Sequence, residues 1–448
     1  MKTIKLTHIL VAFVAISTFS CTSVKEQAAS QTNITATTLH HWNETLEAAI
    51  VNDFFSPPVA GRIYTYPNIA AYEVLVQTAN SYRSLSEQYD GLEIPKPSAE
   101  DIDLNVAAIY AFYYTSLELV YAVDILEAEI TVFKEELMKA KLDAEKHQAA
   151  EDYGKEVAMT IINWAKKDNY NQMRSFPKYQ LLEEEGKWLP TPPDYNDALE
   201  PHWSKLRAYT LDSASQFRPA PPTTYDMDTN SVFYEELMVV YRALKENDEN
   251  RVAIAKFWDC NPLVTKHKGH VTFSEKKLTP GGHWVNIGRM VMKEQSFDLL
   301  QTAHTYLMIT IGINDAFISC WEEKYNSNYI RPVTIIQKNI ENAWTPILYT
   351  PNFPEYPSGH SVVSGSVATI LTHIFGENYA FIDSTEVPYG MPPRSFNSFI
   401  AASDEAAISR LYGGIHFMPA IEEGKTQGHK VGKHVLKTIQ LKATKENS

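Results

Sequence analysis

The residues with the clearest chemical content lie in the last third of the chain, in three short sets. The first is Lys324, followed by Arg331 and Pro332. A separation of seven positions is close to two helical turns, so the spacing predicts both cations on one helix face. The second is Pro357-Ser358-Gly359-His360, which leads into a helical run from Ser361 to Phe375. A proline before a helix start, a hydroxyl and a glycine that admits close backbone approach suit an oxyanion site. Free N–H groups and the helix dipole favour negative charge at such an N-terminus. An ordinary N-cap is the competing reading of Ser358. The third set is Ser409-Arg410 and then His416, with Gly413-Gly414 between them. On one straight helix Arg410 and His416 would face different ways; the glycines break the helix and bring the histidine back toward the arginine.

Together the sets gather three cations, a hydroxyl, a close backbone donor and two imidazoles. A tetrahedral oxyanion uses all of these: guanidinium forks and an ammonium for its charge, imidazoles for proton transfer or for bonding the central atom.

The three sets resemble the signature shared by type 2 phosphatidic acid phosphatases, bacterial class A acid phosphatases and vanadium-dependent haloperoxidases. The wider context is most similar to the haloperoxidases, through NDAFISCWEEKYNSNYIRPV (314–333), TPNFPEYPSGHSVVSG (350–365) and PGGHWVNIG (280–288). The resemblance is specific over residues 255–440 and architectural before them. It implies an enzyme that uses vanadate, hydrogen peroxide and a halide. By the same resemblance His416 bonds vanadium, while Lys324, Arg331, Arg410, Ser358 and the Gly359 N–H hold the anion's oxygens. His360 is then the acid–base group for peroxide. Trp321 and Phe353, beside the first two sets, are expected near the halide or in the core. Iodide, the easiest halide to oxidise, is the expected substrate; the organic acceptor is not readable.

The sequence departs from the phosphatase pattern at one position. Phosphatases carry an Asp four residues after the third-set histidine, where this chain has Ala420. That acid would hold the imidazole in one tautomer for attack on phosphorus, so its absence argues against phosphatase chemistry unless Glu422, Glu423 or a carbonyl replaces it. An exported acid phosphatase with a phosphohistidine intermediate and a non-catalytic oxyanion-binding lipoprotein are the alternatives. The second histidine, His360, argues against the latter.

The elements that must position these groups are helices. Apolar residues at three- and four-residue spacing predict helices at 41–55, 67–80, 231–258, 284–324, 359–376, 403–412 and 420–440, and at least two long ones within 101–167. The Pro- and Tyr-rich stretch at 176–225 reads as an ordered connection. The fold class expected is all-α, in one or two bundles, with the C-terminal bundle carrying the site. The run from Thr302 to Cys320 is apolar but holds His304, Asn314 and Asp315, which predicts a buried core helix rather than a membrane span.

At 448 residues the chain has room for two or three domains. We place a signal peptide at 1–20, a flexible tether at 21–40, an N-terminal helical region at 41–230 and the vanadate-binding bundle at 231–448. Lys2 and Lys5 precede a short apolar run, Ile9 to Ile16, that ends in small or polar residues before Cys21. This pattern predicts export, with Cys21 as a lipidation site of a periplasmic or outer-membrane lipoprotein. The net charge of −14 argues against nucleic acid and anionic membrane surfaces as partners, apart from that lipid anchor. Cys260 and Cys320 leave both a bridge and two separate buried thiols open. His267 and His270, with His283, lack helical ligand spacing and read as structural or surface residues. His429 and His434 are expected on exposed helix positions.

Overall fold

The computed structural model describes residues 33–97, 102–246, 248–262 and 264–442. The expected signal peptide, Cys21 and residues 21–32 of the expected tether lie outside the described residues. The last five tether positions do not form a tether: they belong to helix α1 (Ala36–Asn52), where Leu39 and His40 are already buried. The remaining N-terminal helices are α2 (Pro57–Leu75), α3 (Leu104–Leu117), α4 (Val123–Lys139), α5 (Ala144–Ala165) and the single turn α6 (Tyr170–Met173). After the connection come α7 (Val232–Lys245), α8 (Glu249–Phe257), α9 (Pro280–Glu294), α10 (Leu299–Ser327), α11 (Pro332–Asn339), α12 (Gly359–Phe375), α13 (Phe399–Tyr412) and α14 (Met418–Thr438). Two small antiparallel hairpins, β1 (Thr265–Lys268) with β2 (Val271–Ser274) and β3 (Phe381–Asp383) with β4 (Arg394–Phe396), and four short 3-10 turns are the other regular elements among the described residues. The all-α class therefore holds.

The largest departure from periodicity is α2. Pro67 suggests a helix start, yet it sits inside a helix that begins ten residues earlier at Pro57. All of α2 is buried, so tertiary packing outweighs the lost N–H. The expected helix at 284–324 is two, because Asp298 caps a new start at Leu299 with a reciprocal capping box to Gln301. Helix α10 is buried along most of its length, and no described helix is long and apolar enough to cross a membrane. Its Asp315 is satisfied by the Tyr209 and Thr210 amides at 2.8 and 2.7 Å, which anchors the 176–225 connection to the core. One hydrophobic core runs from Leu39 through α2, α3 and α10 to Leu441, so both halves of the chain contribute to it.

The contact that places the site is α12 against α14. Gly424, Gly428 and Gly432 recur every four residues and share one face of α14. A Cβ at Gly428 would stand 2.3 Å from Val362 O, and one at Gly432 would stand 2.4 Å from Ser366 O. The two backbones thus meet without side chains between them. The same face reaches the start of α12, where Ser358 N donates to Ala420 O at 2.9 Å. His429 and His434 are accordingly half-buried rather than exposed: His429 Nδ1 meets Thr369 Oγ1 at 2.9 Å, and His434 Nε2 meets Thr210 O at 2.8 Å.

Gly428→Ala is expected to force the helices apart at a cost of about 1–3 kcal/mol. A lower midpoint in urea unfolding would report it; an unchanged midpoint would contradict the close-packed interface.

Candidate active site

Each motif reaches the site from a helix end: two from the last turn of a helix and one from a helix start. Lys324 is on the last turn of α10, which stops where Asn328 turns left-handed at φ 48°. Asparagine tolerates that conformation better than most residues. Arg331 therefore does not share a helix face with Lys324, as the seven-residue spacing suggested. It is extended backbone capping α11, with Pro332 at the first helical position. The chain turns back on itself, and both head groups still arrive at one place. Arg410 is on the last turn of α13, and Gly414 at φ +79° reverses the chain so that Ile415 N bonds Arg410 O at 3.1 Å. The glycines thus act as the sequence implied, delivering His416 ahead of α14.

All three cations are buried: Lys324 and Arg331 are 0% exposed and Arg410 is 1%. Carbonyls steer them. Lys324 Nζ donates to Pro354 O and Glu355 O at 3.0 Å each, and also to Pro357 O. Arg331 donates through Nε to Phe353 O at 3.0 Å and through Nη1 to Ile415 O at 2.8 Å. Arg410 Nη1 donates to Trp258 O at 2.7 Å. Arg331 Nη2 and Arg410 Nε are buried without hydrogen-bond partners among the described residues. Burial pulls Lys324 down to about 7 and Arg331 down to about 10, and it lowers Arg410 as well. Glu355, 0% exposed, is the carboxylate bonded into this group. Asp259, which also acts on Arg410, is paired with Lys277 at 2.5 Å.

His416 sits between these charges. Its Nδ1 lies 2.8 Å from Glu355 Oε1, which also accepts from Phe417 N at 2.9 Å. Burial, then Arg331, Lys324 and Arg410, push the imidazole well below its ordinary range, so it is neutral. With Nδ1–H donated to the carboxylate, the Nε2 lone pair is fixed, and it faces Arg331 Nη1 at 3.2 Å. A fixed neutral nitrogen among orphaned cationic N–H groups fits an oxyanion whose central atom accepts a nitrogen ligand.

The comparisons with known proteins agree with this chemistry. The family described as the VCPO second helical-bundle domain matches residues 304–444. A solved structure described as the first bacterial vanadium-dependent iodoperoxidase is 43% identical, with TM-score 0.87, over 92% of this chain and 99% of its own. The chain belongs to the vanadium-dependent haloperoxidases. Holo and apo structures of a bacterial vanadium-dependent chloroperoxidase, both 17% identical, share the fold with TM-scores 0.68 and 0.66. They cover 86% of this chain and 93% and 95% of their own. No curated protein matches the chain significantly.

In this haloperoxidase a small cavity is lined by Gly359, His360, Arg410, His416, Trp321 and Phe353, with Cys260 and Asn261 on one wall. Trp321 and Phe353 pack at 4.9 Å between ring centroids. Phe353 also lies under both Lys324 and Arg331, at 4.9 and 5.1 Å, so it shields the cations while walling the cavity. Helix α12 starts at Gly359, which leaves the Gly359 and His360 amides without intrahelical acceptors. Ser358 is the N-cap, accepting from Ser361 N at 3.3 Å, and its own hydroxyl hydrogen remains to donate. Burial, then Arg410 and His283, hold His360 well below its ordinary range, and its Nε2 has no partner. It is a neutral imidazole with a nitrogen left for proton transfer.

Glu355 is the site residue that sequence reasoning missed. Glu422 and Glu423 were the candidates for orienting His416, but the acceptor comes from five residues before His360. The signal was the one acid in the 350–365 segment, between the cations of the first motif and the hydroxyl of the second. Supply of this acceptor also means that Ala420 is no defect, and it removes the tautomer argument against a phosphohistidine route. Ala420 is 0% exposed under the Ser358 amide.

Glu355→Gln is expected to leave the fold intact and weaken vanadate binding about 10- to 100-fold, as loss of an outer-shell carboxylate usually does. Equilibrium dialysis against orthovanadate measures it; affinity equal to wild type would remove Glu355 from the site. Ala420→Asp is expected to bring no gain in p-nitrophenyl phosphate hydrolysis, because His416 Nδ1 is already engaged.

Proposed function

We propose that this haloperoxidase oxidises iodide with hydrogen peroxide, and that it works outside the cytoplasm, carried there by residues 1–20 and anchored through a lipidated Cys21. The observation that carries the chemistry is the burial of three cations around the Nε2 lone pair of His416, with one carboxylate among them. Burying a cation costs several kcal/mol unless it is compensated, so this arrangement favours a multiply charged anion. Iodide is supported by the iodoperoxidase relative and by the aromatic wall of Trp321 and Phe353, which suits a large, weakly hydrated halide.

His416, Lys324, Arg331, Arg410, Ser358 and the start of α12 would hold vanadate. Bound there, it supplies the Lewis-acid centre at which hydrogen peroxide becomes an oxidant for halide. The protein's own contributions are electrostatic and protonic. Arg331 Nη2 and Arg410 Nε offer fixed N–H groups that need no reorganisation as negative charge shifts. Glu355 keeps the His416 proton on Nδ1. His360, neutral and with Nε2 unpartnered, would take and pass on the proton of incoming peroxide at that nitrogen. Trp321, Phe353 and Phe317 keep bulk water from the cavity.

The deciding assay measures iodide, bromide and p-nitrophenyl phosphate turnover with and without added orthovanadate. Iodide oxidation should appear only with vanadate, exceed bromide oxidation, and fall in excess phosphate. Brisk ester hydrolysis without vanadium, and no iodide oxidation with it, would favour the phosphatase reading. His360→Ala should retain vanadate and slow iodide turnover by about 10²–10⁴. Wild-type turnover in that variant would remove His360 from proton transfer.

A further inference from the structure

A second cluster stands beside the anion site, built from three segments far apart in sequence. His283, 0% exposed, lies in the first turn of α9. Its Nε2 is 2.7 Å from Asp383 Oδ2 and 2.7 Å from Thr385 Oγ1. The Thr385 hydroxyl and amide donate to the other oxygen of Asp383 at 2.7 and 2.9 Å, so Thr385 Oγ1 is left to accept. Nε2 therefore faces two acceptors and donates to them; against the effect of burial, Asp383 and then Cys260 hold the ring well above the ordinary imidazole range, so a metal ion at Nδ1 would take the place of a proton. Nδ1 faces Cys260 Sγ at 3.2 Å and Glu386 Oε1 at 3.3 Å, and these two atoms are 3.9 Å apart. All three donors are buried.

We propose that Cys260, His283 and Glu386 form a binding site for a divalent ion of the zinc class, separate from the vanadate site. A tetrahedral ion with bonds of about 2.0–2.3 Å spaces its ligand atoms about 3.3–3.6 Å apart, and the three observed separations fall within about half an ångström of that. Thiolate, imidazole and carboxylate together suit zinc rather than magnesium or calcium, and water completes the coordination. Asp383 on the far nitrogen of His283 is the usual outer partner of a metal-bound histidine, fixing the ring and its tautomer. The histidines that sequence reasoning grouped with His283 are elsewhere: His267 pairs with Asp194 at 2.5 Å on β1, and His270 is exposed.

The ion would hold the wall of the anion cavity. The Trp258 ring stacks on His283 at 4.5 Å, while the Trp258 carbonyl grips Arg410 Nη1 at 2.7 Å. Cys260 itself lines the cavity. Tying Cys260 to α9 and to the Asp383–Glu386 segment fixes that carbonyl, and with it Arg410.

The test uses the full chain, free of vanadate, stripped with a chelator and titrated with Co²⁺ and then Zn²⁺. One equivalent of cobalt should bind with a near-ultraviolet thiolate-to-cobalt charge-transfer band, and zinc should displace it. Cys260→Ser should lose the band, and Cys320→Ser and His416→Ala should keep it. Asp383→Asn, which retains all three donors, should weaken zinc binding about 10- to 100-fold. Circular dichroism of each variant separates loss of the site from loss of the fold. A folded wild type with no cobalt band, or a band that survives in Cys260→Ser, would overturn the proposal and leave a hydrogen-bonded thiol–imidazole–carboxylate network.

Discussion

Three cationic head groups meet in the interior of this protein with, among the described residues, a single carboxylate bonded into the group, and much of the C-terminal fold is arranged around that imbalance. Water would ordinarily solvate such charges. Here main-chain carbonyls do so: three around Lys324, two around Arg331 and one at Arg410. Those carbonyls belong to the segments at 353–357, 415 and 258, so the loops that carry the motifs are also the loops that hold the charges. The loops therefore take their conformation from the cations, and the cations take their direction from the loops. Such reciprocal constraint leaves two N–H groups, Arg331 Nη2 and Arg410 Nε, without a hydrogen-bond partner among the described residues. They are the groups that an anion would complete.

The close contact of α12 with α14 serves the same end. Glycines on α14 let its backbone approach α12, and the main-chain bond from Ser358 to Ala420 ties the anion-facing end of α12 to the segment just after His416. A side chain at the interface would move the α12 amides relative to the histidine. Glu355 adds a second tie, bonding both His416 and the Phe417 amide. Position and protonation of the key nitrogen are thus set by one carboxylate whose own burial raises it to about 7, a cost that the neighbouring Arg331 charge partly offsets.

Much of this was legible in the sequence. The residues of the three motifs converge, the glycines between Arg410 and His416 reverse the chain, and Trp321 and Phe353 line the cavity. What the sequence hid was how the groups arrive. Lys324 and Arg331 have helical spacing, yet the helix ends between them at Asn328, because a left-handed residue leaves no mark in a count of positions. Glu355 lies outside each short motif, and only the need of His416 for an acceptor points to it. The main-chain partners of the cations have no side-chain signature at all. Helix α2 was misread at its start because burial on all sides overrides the proline that normally ends a helical pattern.

If the fold carries an uncompensated positive charge until an anion binds, then anion binding must stabilise it. The direct measurement is the melting temperature of vanadate-free protein as orthovanadate is added at constant ionic strength. At about 100 times the dissociation constant the gain should be about 2.7 kcal/mol, with a clear rise in Tm that phosphate reproduces at higher concentration. Arg331→Ala and Arg410→Ala should each blunt that rise. A melting temperature that stays constant through saturating orthovanadate would contradict the account.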